Sequence, residues 1–305
     1  MFHCPMGCAY YEDEPCVDCR LCLATTQEEM VQASQRIRDY LRAHSENRRG
    51  PSRKIAVCGK GGTGKTTAVA LMAGAFRELG FSVLVIDLDE SNPGLRRMLG
   101  FDQEPKPLLS VMAKGFREGK PLEGWFIRDE MGIQDIPGEF IQGDDSLRLL
   151  IAGKIDDPFQ GCACSLADLA RDLVQKLVLR EREIVLIDTE AGVESFGRGV
   201  ERHVDTVVVM VEPSAESIAL AEKISYLADG IGVKKVRAVS NKIPSEKIGQ
   251  RVAKELEERK IKILGTLWAD DRLSEASLEG KGPSPNSGAQ RCMKEIVQRL
   301  LDESS

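Results

Sequence analysis

A chain of 305 residues holds one large domain and a small appendage, because globular domains cluster near roughly 100–200 residues. Its apolar fraction of 42% and charged fraction of 30% are those of an ordinary globular fold, and they exclude wholesale disorder and collagen-like repeats. A net charge of −6 gives no concentrated basic surface for nucleic acid, no apolar run reaches the roughly 18 residues of a membrane span, and Met1 to Cys22 lacks the basic-then-apolar design of a signal peptide. The chain is therefore expected in the cytoplasm, with neither nucleic acid nor membrane as partner.

From the N-terminus, the first feature is a run of cysteines, Cys4-x3-Cys8-x7-Cys16-x2-Cys19-x2-Cys22. In a reducing compartment such clustering points to metal ligation or redox chemistry rather than structural disulfides. Four of the five thiols suffice for one centre. The closing CxxCxxC has the tight spacing of iron–sulfur ligand runs, while zinc accepts four thiolates equally well, so the spacing allows a [4Fe–4S] cluster or zinc.

Met30, Ile37 and Leu41 then recur on a helical period between Thr25 and His44, and Thr26 with Glu29 is spaced as a capping box. Residues 45–52 (SENRRGPS) are polar and carry Gly50 and Pro51, the composition of a linker. The chain thus divides into a Cys-rich head (1–24), a helix and linker (25–52) and a main domain (53–305).

In the main domain short apolar runs alternate with helical patterns. The runs KIAVC (54–58), SVLVID (82–87), LRLLIAG (147–153), EIVLID (183–188), DTVVVMV (205–211), KVRAVS (235–240) and KILGTLW (262–268) are expected to be buried strands. Helices are expected near 65–79, 165–179, 215–229, 245–258 and 288–302. That alternation predicts an α/β fold, a doubly wound, mostly parallel sheet carrying a P-loop NTPase site, with the small Cys-rich metal-binding extension ahead of it.

Gly59-Lys60-Gly61-Gly62-Thr63-Gly64-Lys65-Thr66 fits G-x-x-x-x-G-K-[ST], follows a strand and opens a helix. Glycines let successive N–H groups turn toward the phosphates of ATP, and the helix end adds its positive dipole. Lys65 reaches the β- and γ-phosphates, Thr66 offers its hydroxyl to Mg²⁺, and the loop from Gly59 to Thr67 surrounds the nucleotide. Asp87 and Asp89 end the next strand, where doubly wound sheets bind ligands; a carboxylate there also suits a helix cap. Asp188, ending EIVLID, occupies the Walker B position as a further magnesium ligand, and Gly192 beyond it lets backbone approach the γ-phosphate.

With its second lysine, Lys60, the loop KGGTGKTT resembles the deviant P-loop of the MinD/ParA, nitrogenase iron protein and ArsA group. The resemblance implies ATP-driven homodimerisation in which Lys60 reaches the partner's nucleotide and acts in catalysis with Lys65. It further implies that Asp89 orients the attacking water and Asp87 supports the magnesium shell. Asn241-Lys242 resembles the base-contacting Asn-Lys pair of that group, although a loop Asn also suits a turn.

Gly161-Cys162-Ala163-Cys164 precedes a helix. Two thiolates do not close a tetrahedral site, but a two-fold dimer brings the same pair from each subunit and supplies four. Two small buried residues in a turn are the plainer alternative. Taken with KGGTGKTT and GKI at 153–155, GCAC and DTEAGVESFGRG (188–199) resemble the CooC-type maturation ATPases of nickel-containing carbon monoxide dehydrogenases, over residues 53 to 305. That resemblance implies a metallochaperone: a dimer holding Ni²⁺ or Zn²⁺ at Cys162 and Cys164 and hydrolysing ATP during nickel insertion into a client metalloenzyme. The Cys-rich head departs from this pattern and resembles, loosely, the N-terminal cysteine clusters of iron–sulfur scaffold ATPases, so an iron–sulfur carrier or electron-transferring ATPase is the competing reading. A spatial-positioning ATPase would need a membrane or DNA surface, and the last helix mixes Glu295 with Arg291, Lys294 and Arg299 instead of presenting a basic amphipathic face. Cys58 and Cys292 are expected to be core residues.

Overall fold

Two stretches of the main domain, EIVLID at 183–188 and TVVVMV at 206–211, are buried at every position. Such runs have no solvent face, which is the signature of parallel strands covered on both sides. The computed structural model of the chain describes residues 26–32, 53–89, 94–110, 125–126, 128–153, 163–193, 196, 199–233 and 235–303, the side chains of 163–167 and 200 excepted.

The strands are β1 (Lys54–Gly59), β2 (Ser82–Asp87), β3 (Gln142–Gly143), β4 (Leu147–Ile151), β5 (Glu183–Asp188), β6 (Thr206–Val211), β7 (Lys235–Ile243) and β8 (Lys262–Trp268). They form one sheet in the order β3-β4-β2-β5-β1-β6-β7-β8. Every pairing is parallel except that of β3 with β4. All seven expected strands are present. The helices are α1 (Lys65–Glu78), α2 (Gly94–Met98), α3 (Ala163–Lys176), α4 (Ala215–Gly230), α5 (Glu246–Glu258), α6 (Asp271–Leu278) and α7 (Gly288–Asp302). The five expected helices are α1, α3, α4, α5 and α7. The short β3 and α2 and the helix α6 were not anticipated.

Strand alternation distributes side chains to two cores. Ala56 and Cys58 of β1 join Val185 and Ile187 of β5 on the face covered by α3, α4 and α5. Ile55 and Val57 point the other way, joining Ile184 and Leu186 on the face covered by α1 and α7. Helix α1 carries the second core: Val69, Leu71, Met72 and Phe76 are essentially inaccessible, each side chain contributing about 1.5–3 kcal/mol by burial. Cys58 is buried as expected, whereas Cys292 on α7 is only partly covered. The Cys58 thiol is pushed well above its ordinary pKa by burial first and by the nearby Glu201 second, so it stays protonated as a small apolar side chain.

Ahead of the sheet, residues 27–32 form a helical segment. It starts with the expected capping box, Glu29 N–H donating to Thr26 Oγ1 at 3.2 Å and Thr26 N–H to Glu29 Oε2 at 3.1 Å. The rest of that expected helix, and Cys4, Cys8, Cys16, Cys19 and Cys22, lie outside the described residues. Among the described residues no helix is long and apolar enough to cross a membrane.

The position of β1 decides where a ligand fits. From this central strand the chain goes first to β2 and β4 on one side and later to β6, β7 and β8 on the other. Connections leaving in opposite directions open a crevice at the C-terminal ends of the strands, which is the ligand position in doubly wound sheets.

Candidate nucleotide site

The loop Gly59 to Thr66 crosses this crevice between β1 and α1. Two of its glycines are required by contacts. Gly59 has φ +147°, and a Cβ there would lie 2.7 Å from the Met210 carbonyl oxygen of β6; Gly64 has φ +85°, and a Cβ would lie 2.6 Å from Asn241 Nδ2. The loop carbonyls are held from behind. Asn241 Nδ2 donates to the Thr63 carbonyl at 2.7 Å, Lys242 Nζ to the Gly62 carbonyl at 2.6 Å, and Thr63 Oγ1 to the Lys60 carbonyl at 2.8 Å. A peptide whose carbonyl is engaged on one side presents its N–H to the other, so these bonds shape an anion cradle. Lys242 reaches the loop from a bulge in β7, where the register to β8 shifts and its φ is +56°.

Helix caps mark the same place. Helices α4, α5, α6 and α7 begin with side-chain caps from Ser214, Ser245, Asp270 and Ser287. Helix α1 begins at Gly64 with no side-chain cap and no acidic residue in its first turn. Its first N–H groups and positive dipole end are left for an anion, as phosphate sites require. Lys65 and Thr66, in that first turn, are 6% and 7% exposed.

Two neighbouring strands end beside the loop in acidic residues. Register places Val57, Asp87 and Asp188 level on the neighbouring strands β1, β2 and β5. Asp89 follows β2, its N–H donating to Asp87 Oδ1 at 3.1 Å. Asp188 is fully buried. Burial first, and Asp89 second, push its pKa up from 3.8 to about 7, while the Thr66 hydroxyl and Lys65 pull it down. Buried hard oxygen acceptors beside a threonine hydroxyl fit a magnesium ion, whose charge offsets the desolvation that raises the Asp188 pKa. Asp188 and Thr66 would hold it, with Asp87 beside them.

The segment after β5 is fastened to the loop through backbone, Gly192 N–H donating to the Gly59 carbonyl at 3.1 Å, and Thr189 Oγ1 donates to the Val57 carbonyl at 2.9 Å. Lys60 forms an ion pair with Glu212, just beyond β6, at 3.4 Å. The Thr67 hydroxyl is turned toward Met98 of α2, 4.0 Å from its sulfur. Gly61 and Gly62 complete the turn.

Of the sequence-derived residues, the structure gathers Gly59 to Thr66, Asp87, Asp89, Asp188, Gly192 and Asn241 in one crevice. Asn241 braces the P-loop and is 7% exposed. Cys164 falls in the first turn of α3; its side chain, and the whole of Cys162, lie outside the described residues. Among the described residues no group of three or more His, Cys, Asp or Glu side chains is arranged to hold a metal ion. Glu212 and the Lys242 tether were missed. The only sequence signal for Glu212 is its position immediately after an apolar strand, which has meaning once β6 is known to lie beside β1.

Comparison with known proteins agrees with this geometry. A family model described as the CobQ/CobB/MinD/ParA nucleotide binding domain matches residues 54–283. An uncharacterised ATP-binding protein of Methanocaldococcus jannaschii is 41% identical over 202 residues, covering 63% of this chain and 80% of its own. The carbon monoxide dehydrogenase accessory protein CooC of Rhodospirillum rubrum is 33% identical over 198 residues, covering 63% and 75%. Among solved structures, the Pyrococcus furiosus cell division ATPase MinD matches with a TM-score of 0.61 at 22% identity, covering 83% of this chain and 99% of its own. The MinD cell division protein of Aquifex aeolicus gives 0.60 at 22% identity, covering 82% and 97%; at such identities the likeness is one of fold. With an uncapped helix behind a glycine-rich loop, buried acids at two adjacent strand ends and this family match over most of its length, the chain belongs to the CobQ/CobB/MinD/ParA nucleotide-binding family of P-loop ATPases.

Proposed function

We propose that this protein is an ATP-hydrolysing metallochaperone, a cytoplasmic homodimer whose nucleotide cycle assists nickel insertion into a metalloenzyme such as a carbon monoxide dehydrogenase. The observation that carries the reading is the Cys162-x-Cys164 pair, with Cys164 in the first turn of α3. Helix α3 joins β4 to β5, parallel strands of the same sheet, so by topology it starts at the C-terminal edge of the strands, as the nucleotide loop does. A thiolate pair shared across a two-fold axis would respond to the nucleotide state of the dimer. The likeness to the CooC accessory protein supports a maturation role.

In the ATPase step, Lys65, the loop N–H groups and the start of α1 neutralise the β- and γ-phosphates, and Asn241 and Lys242 hold the loop in that shape. Thr66 and Asp188 would hold Mg²⁺, which would supply positive charge against the charge that develops on the phosphates. Asp89 orients the attacking water, and Lys60 reaches the nucleotide of the partner subunit. Gly192, bonded to Gly59, links the segment from Asp188 to Gly192 to the loop, so that segment follows the state of the γ-phosphate.

A second role rests on the spacing of Cys4, Cys8, Cys16, Cys19 and Cys22, four of which would hold an iron–sulfur cluster or zinc. The test is metal analysis of anaerobically purified full-length protein loaded with Ni²⁺, compared with a Cys162→Ser, Cys164→Ser variant. The shared-site reading expects the variant to lose about one metal ion per two chains, since four thiolates complete one centre. Equal metal content in the two proteins would sink it.

A further inference from the structure

Lys60 and Glu212 lie 152 positions apart in sequence, yet their contact follows from the sheet. In the parallel pairing of β1 with β6, Gly59 is level with Met210, so Lys60 and Glu212 both leave the C-terminal edge at neighbouring strand ends. Glu212 is held there by its own turn. Its N–H donates to Ser217 Oγ at 3.1 Å, its carbonyl accepts from Ser214 N–H at 2.7 Å, and Ser214 caps α4 through Ser217 N–H at 3.2 Å. A glutamate whose backbone is fixed at a helix cap therefore holds a lysine on a glycine-rich loop, the Lys60 side chain being 41% exposed and that of Glu212 22%.

We propose that Glu212 is the latch of Lys60: in the single subunit it retains the ammonium group at the β6 exit, and dimer assembly on ATP requires the pair to open. The inference rests on the reading that Lys60 acts on the partner's nucleotide. One ammonium group does not serve a carboxylate of its own chain and a phosphate of the other chain at full strength, so the two contacts compete. A latch of this kind sets a threshold. ADP, lacking the γ-phosphate, leaves Lys60 on Glu212, whereas ATP draws it away, and two latches open for each dimer formed. A partly exposed ion pair corresponds to a factor of about 1.5 to 5, so two of them shift the dimer equilibrium about 2- to 25-fold.

The experiment measures the dimer dissociation constant of the full chain with a non-hydrolysable ATP analogue, for wild type, Glu212→Gln, Lys60→Ala and the double variant. The latch predicts that Glu212→Gln tightens the dimer about 2- to 25-fold and that adding the same change to Lys60→Ala has no effect. The Lys60→Ala background separates the latch from a general gain on removing a negative charge near the phosphates, because that gain persists without the lysine. A Glu212→Gln dimer no tighter than wild type, or tightening that survives Lys60→Ala, overturns the proposal. If Lys60→Ala leaves analogue-driven dimerisation unchanged, the trans-acting reading of Lys60 fails and the latch with it; a Lys60-dependent dimer indifferent to Glu212 removes the latch alone. Thermal unfolding of each single variant confirms that the fold is kept, and Glu212→Asp, which preserves the charge, restores most of the wild-type threshold.

Discussion

A carboxyl group shut away from solvent, such as that of Asp188, keeps its proton to higher pH than an exposed one. With its pKa raised from 3.8 to about 7 by burial and by Asp89, the folded chain binds a proton in that window that the unfolded chain has already released. The contribution of this group to stability therefore falls as pH rises from 3.8 toward 7. Magnesium binding reverses the preference, because the metal requires the carboxylate form and releases the proton. Below about pH 7, affinity for Mg-nucleotide in the wild type is expected to rise about tenfold more per pH unit than in Asp188→Asn, and above it the two profiles run parallel. Calorimetry at pH 6 in buffers of different ionisation enthalpy reads the released proton directly. Equal proton release by the two proteins would show that Asp188 does not meet the metal.

At the scale of elements, the end of the last helix is tied to two strands. Glu303, just past α7, accepts from Arg237 of β7 at 2.6 Å and pairs with Lys262 of β8 at 2.7 Å. Burial alone would raise its pKa, but the two cations outweigh it and hold the carboxylate below the ordinary glutamate range. A depressed carboxylate stabilises the fold above its ordinary pKa and loses that contribution as pH falls through the folded value. Glu303→Gln is expected to lower the unfolding free energy by about 1–2 kcal/mol at pH 7, with the difference shrinking in acid, as urea titrations at pH 7 and pH 3.5 would show. Elements of this size differ in how much of themselves they write into the sequence. The seven parallel strands were legible because strands covered on both faces become unbroken apolar runs. Helix α7 was legible from its apolar period, and α1 from its place directly behind the P-loop. Strand β3 has two residues, too few for any alternation, and α6 buries no residue and so leaves no periodic trace. The P-loop was read at once because its glycines and lysine are local. Glu212 and the Lys242 tether were not, because each depends on which strands are neighbours.

At the scale of the whole molecule, the phosphate cradle lies at the switch point of the strands, and the cysteines proposed to hold metal, Cys162 and Cys164, fall in sequence between β4 and β5. Each is incomplete in a single subunit on the proposed reading, the first for want of a lysine in trans and the second for want of two sulfurs. Any ligand that binds the assembled state better than the separate chains must strengthen assembly, and two such ligands strengthen each other. On that reading metal and ATP would be coupled through the dimer without touching, and hydrolysis would weaken the hold on the metal by removing the γ-phosphate contact. The most direct measurement is equilibrium sedimentation of anaerobic full-length protein with Ni²⁺, with a non-hydrolysable ATP analogue, with both and with neither, each repeated on the Cys162→Ser, Cys164→Ser variant so that the N-terminal thiols cancel. The account predicts that metal and analogue each tighten the dimer, that together they tighten it further, and that the variant keeps the analogue's effect while losing the metal's. Binding of Ni²⁺ to each subunit independently, with no change in the dimer constant and no difference between wild type and variant, would contradict it.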